Sequence, residues 1–248
     1  MDVRLGVVGA GYISKFHYRA YEELKTPVVA ISDLDADRAA AYVKTFGATY
    51  CRDYRELLAN PQINTVAILG PTGIHGEVAK AALEQGKHVI CEKTLTLNSQ
   101  ESLELGRLAE QKGLILYTSY MKRFFPAVQK AHELMPSLGH IMSVYCRTYQ
   151  GVGNNMHTGP ILPAWTRGAD GKSPIMRMAG GGVLVCGGSH IFDLLLYLVG
   201  KPKRVYARQL RRRDSDLYLM THALFDLDRK STRLNSSHSD RSRMPSSA

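Results

Sequence analysis

Val7-Val8-Gly9-Ala10-Gly11-Tyr12-Ile13-Ser14 is the stretch on which the fold turns. It closes a compact apolar run, Val3 to Val8, of the kind expected for a strand covered on both faces in a parallel sheet. It then opens a helical pattern in which Ile13, Phe16, Ala20 and Leu24 are expected to share the buried face. Glycine at position 9 suits a tight turn, and glycine at 11 lets a ligand's pyrophosphate approach the backbone with no side chain between. Tyr12 and Ile13 lead into the helix, whose free N–H groups favour a phosphate. Ser14 stands where the third glycine of such motifs falls and is small enough for close packing. Asp33, about 20 residues on at the end of the next strand, is placed to bind an adenosine ribose. A carboxylate there disfavours an added phosphate, so NAD is expected, with NADP as the alternative.

Beyond this motif, strands and helices alternate. Val28 to Ile31 reads as a strand, Asp35 to Phe46 as a helix stopped by Gly47, and Tyr54 to Ala59 as a short helix. Asn64 to Leu69 and Lys87 to Cys91 read as strands flanking a helix from Gly73 to Gln85. A helix capped by Ser99 and a strand from Leu114 to Ser119 follow. This alternation predicts a doubly wound α/β Rossmann domain over residues 1–120. The pattern then changes: a helix from Pro126, a long strand from His140 to Tyr149, a helix from Ser189 to Val199, and strands at Lys203 to Arg208 and Leu217 to Phe225. Residues 121–229 are therefore expected to form an α+β domain with a mostly antiparallel sheet, incomplete at the C-terminus.

Residues 230–248 are rich in serine and arginine and lack the apolar side chains a core needs. The run STRLNSSHS resembles translated sequencing-adaptor readthrough, so this segment is expected to be a disordered, non-native tail on a reading frame cut near Asp228; a genuine disordered tail is the alternative. The formal charge of +10 gathers in this tail and at Arg208 and Arg211 to Arg213, so it is weak support for nucleic-acid binding, and none is expected. No apolar run is long enough to span a bilayer and no secretory leader is visible. The four cysteines show no metal-like or paired spacing, which points to a reduced, cytoplasmic setting with no metal site.

Several further motifs, in order, resemble those of the glucose-fructose oxidoreductase / inositol dehydrogenase (Gfo/Idh/MocA) family. Pro71-Thr72-Gly73-Ile74-His75 is similar to its threonine/histidine loop, and Gly86-Lys87-His88-Val89-Ile90-Cys91-Glu92-Lys93 to its GKHVxxEKP strand. Tyr120 with Arg123-Phe124-Phe125-Pro126 resembles its RFxP junction, and Gly181 through His190 to Asp193 its GGxLxDxGxHxxD segment. The resemblance runs from Val3 to about Asp228; members of the family continue with more strands.

It implies hydride transfer between a nicotinamide and a hydroxyl-bearing carbon of a sugar, inositol or related polyol. It adds Thr72, His75, Glu92 and Lys93 to the cofactor site, names Lys93 and His190 as catalytic, and places Tyr120, Arg123, Asp193 and, in a proline-flanked loop, Trp165 against substrate. Oxidation needs a group that takes the hydroxyl proton. Lys93, at the end of a parallel strand, suits that role if desolvation or nearby positive charge helps it to lose its own proton. Asp193, three residues past His190 on one helix, could orient the imidazole. The family's members also associate through the open face of the second sheet, which implies a homo-oligomer. Two positions depart from the pattern: Thr94 replaces the proline after the lysine, and Cys186 replaces an aspartate before the histidine. Both favour the alternative of a non-catalytic dinucleotide sensor on the same fold.

Overall fold

In the computed structural model, residues 2–139, 141, 144–146, 184–211 and 218–227 are described. They fall into two compact units that part after Tyr120. One holds the residues up to that point together with 184–186, the other the described residues of 121–146 and 187–227.

The first unit is a six-stranded sheet in the order β3-β2-β1-β4-β5-β6, every pair parallel. Along the chain run β1 (Leu5–Val8), α1 (Ser14–Glu23), β2 (Val28–Ser32), α2 (Ala36–Phe46), β3 (Thr49–Cys51), α3 (Tyr54–Ala59), β4 (Thr65–Ile68), α4 (Thr72–Glu84), β5 (His88–Cys91), α5 (Ser99–Gln111) and β6 (Leu116–Thr118). Strand order reverses between β1 and β4, and in such sheets the crevice at the carboxyl ends of these two strands is where ligands collect.

The central strands β1 and β4 are buried on both faces, as their apolar runs predict. Successive residues of β4 go to opposite sides: Val66 and Ile68 pack with Leu57, Val78, Leu83 and Leu105, whereas Ala67 packs with Tyr18, Tyr21 and Ala39. Helices α3, α4 and α5 therefore cover one face and α1 and α2 the other. Asp35 caps α2 by accepting from the Arg38 amide, and Gly47 ends it in the left-handed region at φ 61°.

Four expectations need correction. The short strand β3 has only three residues and no signal of its own beyond Tyr50 and Cys51; it forms because β2 has an open edge. The buried face of α1 is Ser14, Tyr18 and Tyr21 rather than Phe16 and Leu24, which are 55% and 74% exposed. Tyr18 is drawn inward by stacking on Tyr42 of α2, 3.9 Å between ring centres, so aromatic packing decides the helix's rotation. The cap of α5 is Asn98, whose side chain accepts from the amides of Gln100 and Glu101, one residue before Ser99. Of the strand expected over His140 to Tyr149, Ile141 and Val144 to Cys146 lie in no strand; the rest falls outside the described residues.

The second unit contains a 3-10 turn at Met121–Phe124, α6 (Pro126–Leu134), α7 (Ser189–Val199), β7 (Pro202–Arg211) and β8 (Tyr218–Leu227). Pro126 sits in the first turn of α6, where its missing N–H removes nothing. β7 and β8 pair antiparallel with Val205 opposite Phe225, as the sequence predicts. No helix among the described residues is long and apolar enough to cross a membrane.

Candidate active site

At the carboxyl end of β1 the chain bends so sharply that Gly9 takes φ +110°, and an added Cβ would lie 2.7 Å from the Gly70 nitrogen. Only glycine fits. The bend is closed from both sides: the Gly9 amide donates to the Ser32 carbonyl at 2.8 Å, and the buried Ser14 hydroxyl donates to the Gly9 carbonyl at 2.9 Å. Ser14 is thus small because it sits under the bend, as expected of its position.

Gly11 differs in kind. A Cβ there would meet nothing within 4 Å, so nothing in the protein itself demands glycine. The surface over Gly11 is open, and α1 behind it starts with no side-chain cap and no acidic residue in its first turn. Open backbone at an uncapped helix start fits a phosphate group. The start of α4, where Thr72 is the first residue, likewise has no side-chain cap and no acid in its first turn.

Asp33 lies just past β2 and turns toward the bend. Its Oδ2 accepts from the Ala10 amide at 2.8 Å, and its Oδ1 from the Asp35 amide at 2.9 Å. Its carbonyl is held by the Tyr50 hydroxyl at 2.8 Å, which gives β3 a part in the site. The carboxylate is 10% exposed, and the Arg38 guanidinium stands 3.9 Å from it. Nearby, Tyr12 is 76% exposed, packs edge-on against Phe16 at 6.0 Å and carries Lys15 Nζ 3.9 Å above its ring; Ile13 is half-buried.

At the end of β5 the ladder runs on, with the Glu92 amide donating to the Ile68 carbonyl. Lys93 follows, half-buried. The Glu92 side chain turns to α1: Oε1 lies 2.8 Å from His17 Nε2, while Oε2 accepts from the Lys93 amide at 3.2 Å. Burial raises the Glu92 carboxyl, but the His17 hydrogen bond and charge, the Lys93 amide and the Lys93 ammonium outweigh it and leave the group below its ordinary range. Burial also pushes the Cys91 thiol up, and the charge on Glu92 adds to that.

His75, expected at the cofactor site, is held by backbone on both sides of its ring. It is buried in α4 with Nδ1 2.8 Å from the Thr94 carbonyl and Nε2 2.9 Å from the Gly70 carbonyl. Both ring nitrogens are taken up by backbone, so His75 ties the turn after β4 to the segment after β5. The same contact holds the backbone of Thr94 through its carbonyl.

The remaining polar candidates lie in the second unit, apart from Tyr120, which is half-buried at the end of the first. Arg123 grips Asp193 with two hydrogen bonds, Nε to Oδ2 at 2.8 Å and Nη2 to Oδ1, and lies over the Tyr197 ring. Asp193 is therefore engaged by Arg123 through both carboxylate oxygens. His190 itself is buried in the first turn of α7. Trp165, the glycine triplet Gly180 to Gly182, the Cys186 side chain and residues 230–248 lie outside the described residues. Among the described residues no group of three or more His, Cys, Asp or Glu is placed to hold a metal ion.

His17 and Tyr21 were not anticipated. Their signal lies in the spacing of Ser14, His17, Tyr18 and Tyr21, a helical face that places polar-tipped side chains against a sheet.

A glycine bend, an inward aspartate and an uncapped helix at the switch point of a parallel sheet are the features of a dinucleotide-binding Rossmann domain. Residues 3–120 match the Gfo/Idh/MocA oxidoreductase family, described by its NAD-binding Rossmann fold, and that segment belongs to the family. It is similar to D-xylose 1-dehydrogenase (NADP+) 2 of Haloferax volcanii, 31% identical over 92% of this chain and 66% of that one. It also resembles levoglucosan dehydrogenase of Pseudarthrobacter phenanthrenivorans, 29% identical over 83% of this chain and 53% of that one. A solved levoglucosan dehydrogenase in complex with NADH and levoglucosan superposes with a TM-score of 0.73 at 24% identity, over 92% of this chain and 62% of that one, and so shares the fold. The chain spans 53–66% of the length of these curated relatives.

Proposed function

We propose that the chain carries an NAD-dependent dehydrogenase activity that moves a hydride between a nicotinamide and a carbinol carbon of a sugar, inositol or related polyol, with NADP as the alternative cofactor. One observation carries the cofactor half: Asp33 is hydrogen-bonded into the bend at Ala10, beside a glycine whose side-chain space is empty. The residues present fit a dinucleotide. Gly9 and Gly11 with the amides of Tyr12 and Ile13 would hold its phosphates, Asp33 its adenosine ribose, and Thr72 would lie at the second uncapped helix. Bound there, the nicotinamide supplies the hydride acceptor.

The proton is the protein's task. Lys93 holds the substrate hydroxyl and takes its proton as the hydride leaves, and His190 is the second group in that transfer. Tyr120, Arg123, Asp193 and Trp165 are proposed to line the substrate site. The Arg123–Asp193 fork gives that role a definite form, since a bidentate pair presents a fixed polar edge. The substrate class is supported by what the relatives are named for: levoglucosan, D-xylose and, in Bacillus subtilis, scyllo-inositol.

Arg38 bears on cofactor choice. It is 54% exposed beside Asp33, a cation that would offset the aspartate's repulsion of an extra phosphate. We also propose residues 1–120 as the cofactor domain, 121–229 as a partial domain for substrate and self-association, and 230–248 as a non-native tail. Cytoplasmic residence and the lack of nucleic-acid binding belong to the same reading. Fluorescence titration with NADH and NADPH, followed by a panel of pentoses, anhydrosugars and inositols with NAD, tests it. Saturable NADH binding with turnover of one member supports the dehydrogenase. Tight binding with no turnover across the panel would turn the reading to a sensor, and absence of binding would end it.

A further inference from the structure

Glu92 precedes the proton-transferring lysine in sequence, and a released carboxylate at that position would pair with the neighbouring ammonium. The structure gives both of its oxygens other donors. Oε1 is held by His17 Nε2 at 2.8 Å, and Oε2 by the Lys93 amide at 3.2 Å. His17 stands on α1, the helix that begins at the phosphate bend, and is backed by the Tyr21 hydroxyl, 3.4 Å from Nδ1. The contact is sheltered: the side chains of His17 and Glu92 are 20% and 11% exposed.

We propose that His17 is a positioning residue for Lys93, holding the Glu92 carboxylate on helix α1 and so keeping it from full pairing with the lysine ammonium. The inference rests on the reading of Lys93 as the proton-transferring group. An ionised carboxylate only accepts, so Nε2 carries the proton of the His17–Glu92 bond. Without the imidazole, Glu92 keeps its charge in a sheltered place beside a lysine whose charge already acts on it. The ammonium is then stabilised, and a lysine held protonated cannot take a proton from a hydroxyl. The other titratable groups facing Glu92 do not disturb this. Burial pushes both the Tyr21 phenol and the Cys91 thiol up, so both stay neutral near pH 8.

The test reads the lysine directly and needs no substrate. The full chain is acetylated at pH 8 with a trace of acetic anhydride, and labelling of Lys93 is measured by mass spectrometry against Lys80, an exposed lysine of α4. His17→Leu is expected to lower the Lys93/Lys80 ratio by about threefold or more, the effect of a half-unit change in the lysine's proton affinity. Glu92→Gln is expected to raise it above wild type. His17→Gln, whose amide can still donate to Glu92, is expected to stay near wild type and covers the case in which the leucine variant fails to fold. In the double variant His17→Leu/Glu92→Gln the leucine effect is expected to vanish. A ratio unchanged in His17→Leu, a glutamine variant no better than the leucine, or a leucine effect that persists without the carboxylate overturns the proposal. An inactive wild type in the substrate panel would remove the dehydrogenase reading and leave these ratios interpretable.

Discussion

The two glycines of the bend respond oppositely to one methyl group. At Gly11 an alanine Cβ meets nothing within 4 Å and the backbone lies outside the left-handed region, so the fold loses nothing. Replacing glycine there even narrows the unfolded ensemble, which stabilises by about 0.4–1 kcal/mol. The methyl does occupy the space through which a pyrophosphate reaches the backbone. Losing one or two charge-assisted hydrogen bonds at about 1.5–3 kcal/mol each weakens NADH binding by roughly 10-fold to more than 1,000-fold.

Gly9→Ala reverses the balance. Its Cβ meets backbone atoms at 2.7 and 2.8 Å, and φ +110° is strained for any L side chain. Overpacking costs about 1–3 kcal/mol and backbone strain a similar amount, so the unit is expected to lose about 2–5 kcal/mol, several degrees or more in Tm. Thermal melts read beside NADH fluorescence titrations separate the two. If Gly11→Ala bound NADH as wild type does, or melted as early as Gly9→Ala, the assignment of the bend to a phosphate would be wrong.

Lys93→Ala is expected to abolish turnover of whichever panel member is active while NADH affinity changes by less than about threefold, since no phosphate contact is removed. His75→Leu removes the ring N–H that lies between the Gly70 and Thr94 carbonyls, and about 1–3 kcal/mol for one buried acceptor left unpaired predicts a loss of that size in urea unfolding. Arg123→Leu leaves the Asp193 carboxylate buried without its fork; because the arginine is 40% exposed, the usual penalty is discounted to about 1–3 kcal/mol, and Asp193→Asn in the same chain should recover part of it. Glu92 contributes to acid stability with a definite sign. Its carboxyl is held below its unfolded value, so its contribution is complete at neutral pH, remains so above the unfolded value, and disappears as pH falls through the lower folded value. Glu92→Gln should flatten the melting curve below about pH 4.5 and leave the shape above it unchanged.

The alternation of strand and helix and the glycine bend were legible because each rests on local chemistry: apolar runs of fixed length, turn residues, and a carboxylate at a set distance. Asp33 was readable for that reason. The rotation of α1 was not, because Tyr18 and Tyr21 are buried by stacking and polar tips that a count of apolar positions scores as surface. β3 was missed for want of length, since three residues carry no period. His75 was assigned from a motif, yet its partners are carbonyls 5 and 19 residues away, a pairing that only the fold creates. The Arg123–Asp193 fork joins residues 70 apart, beyond any spacing rule.

β5, which Lys93 follows, has a second lysine just before its other end. Lys87 Nζ donates to the carbonyls of Asn60 and Ile63 at 3.0 and 2.8 Å, and burial lowers its affinity for a proton. β5 between them is four residues, about 13 Å of extended chain. A rod that short has no slack, so the anchor at its foot sets how far its head projects from the sheet. Damage at the foot would then register at the head as a displaced Lys93.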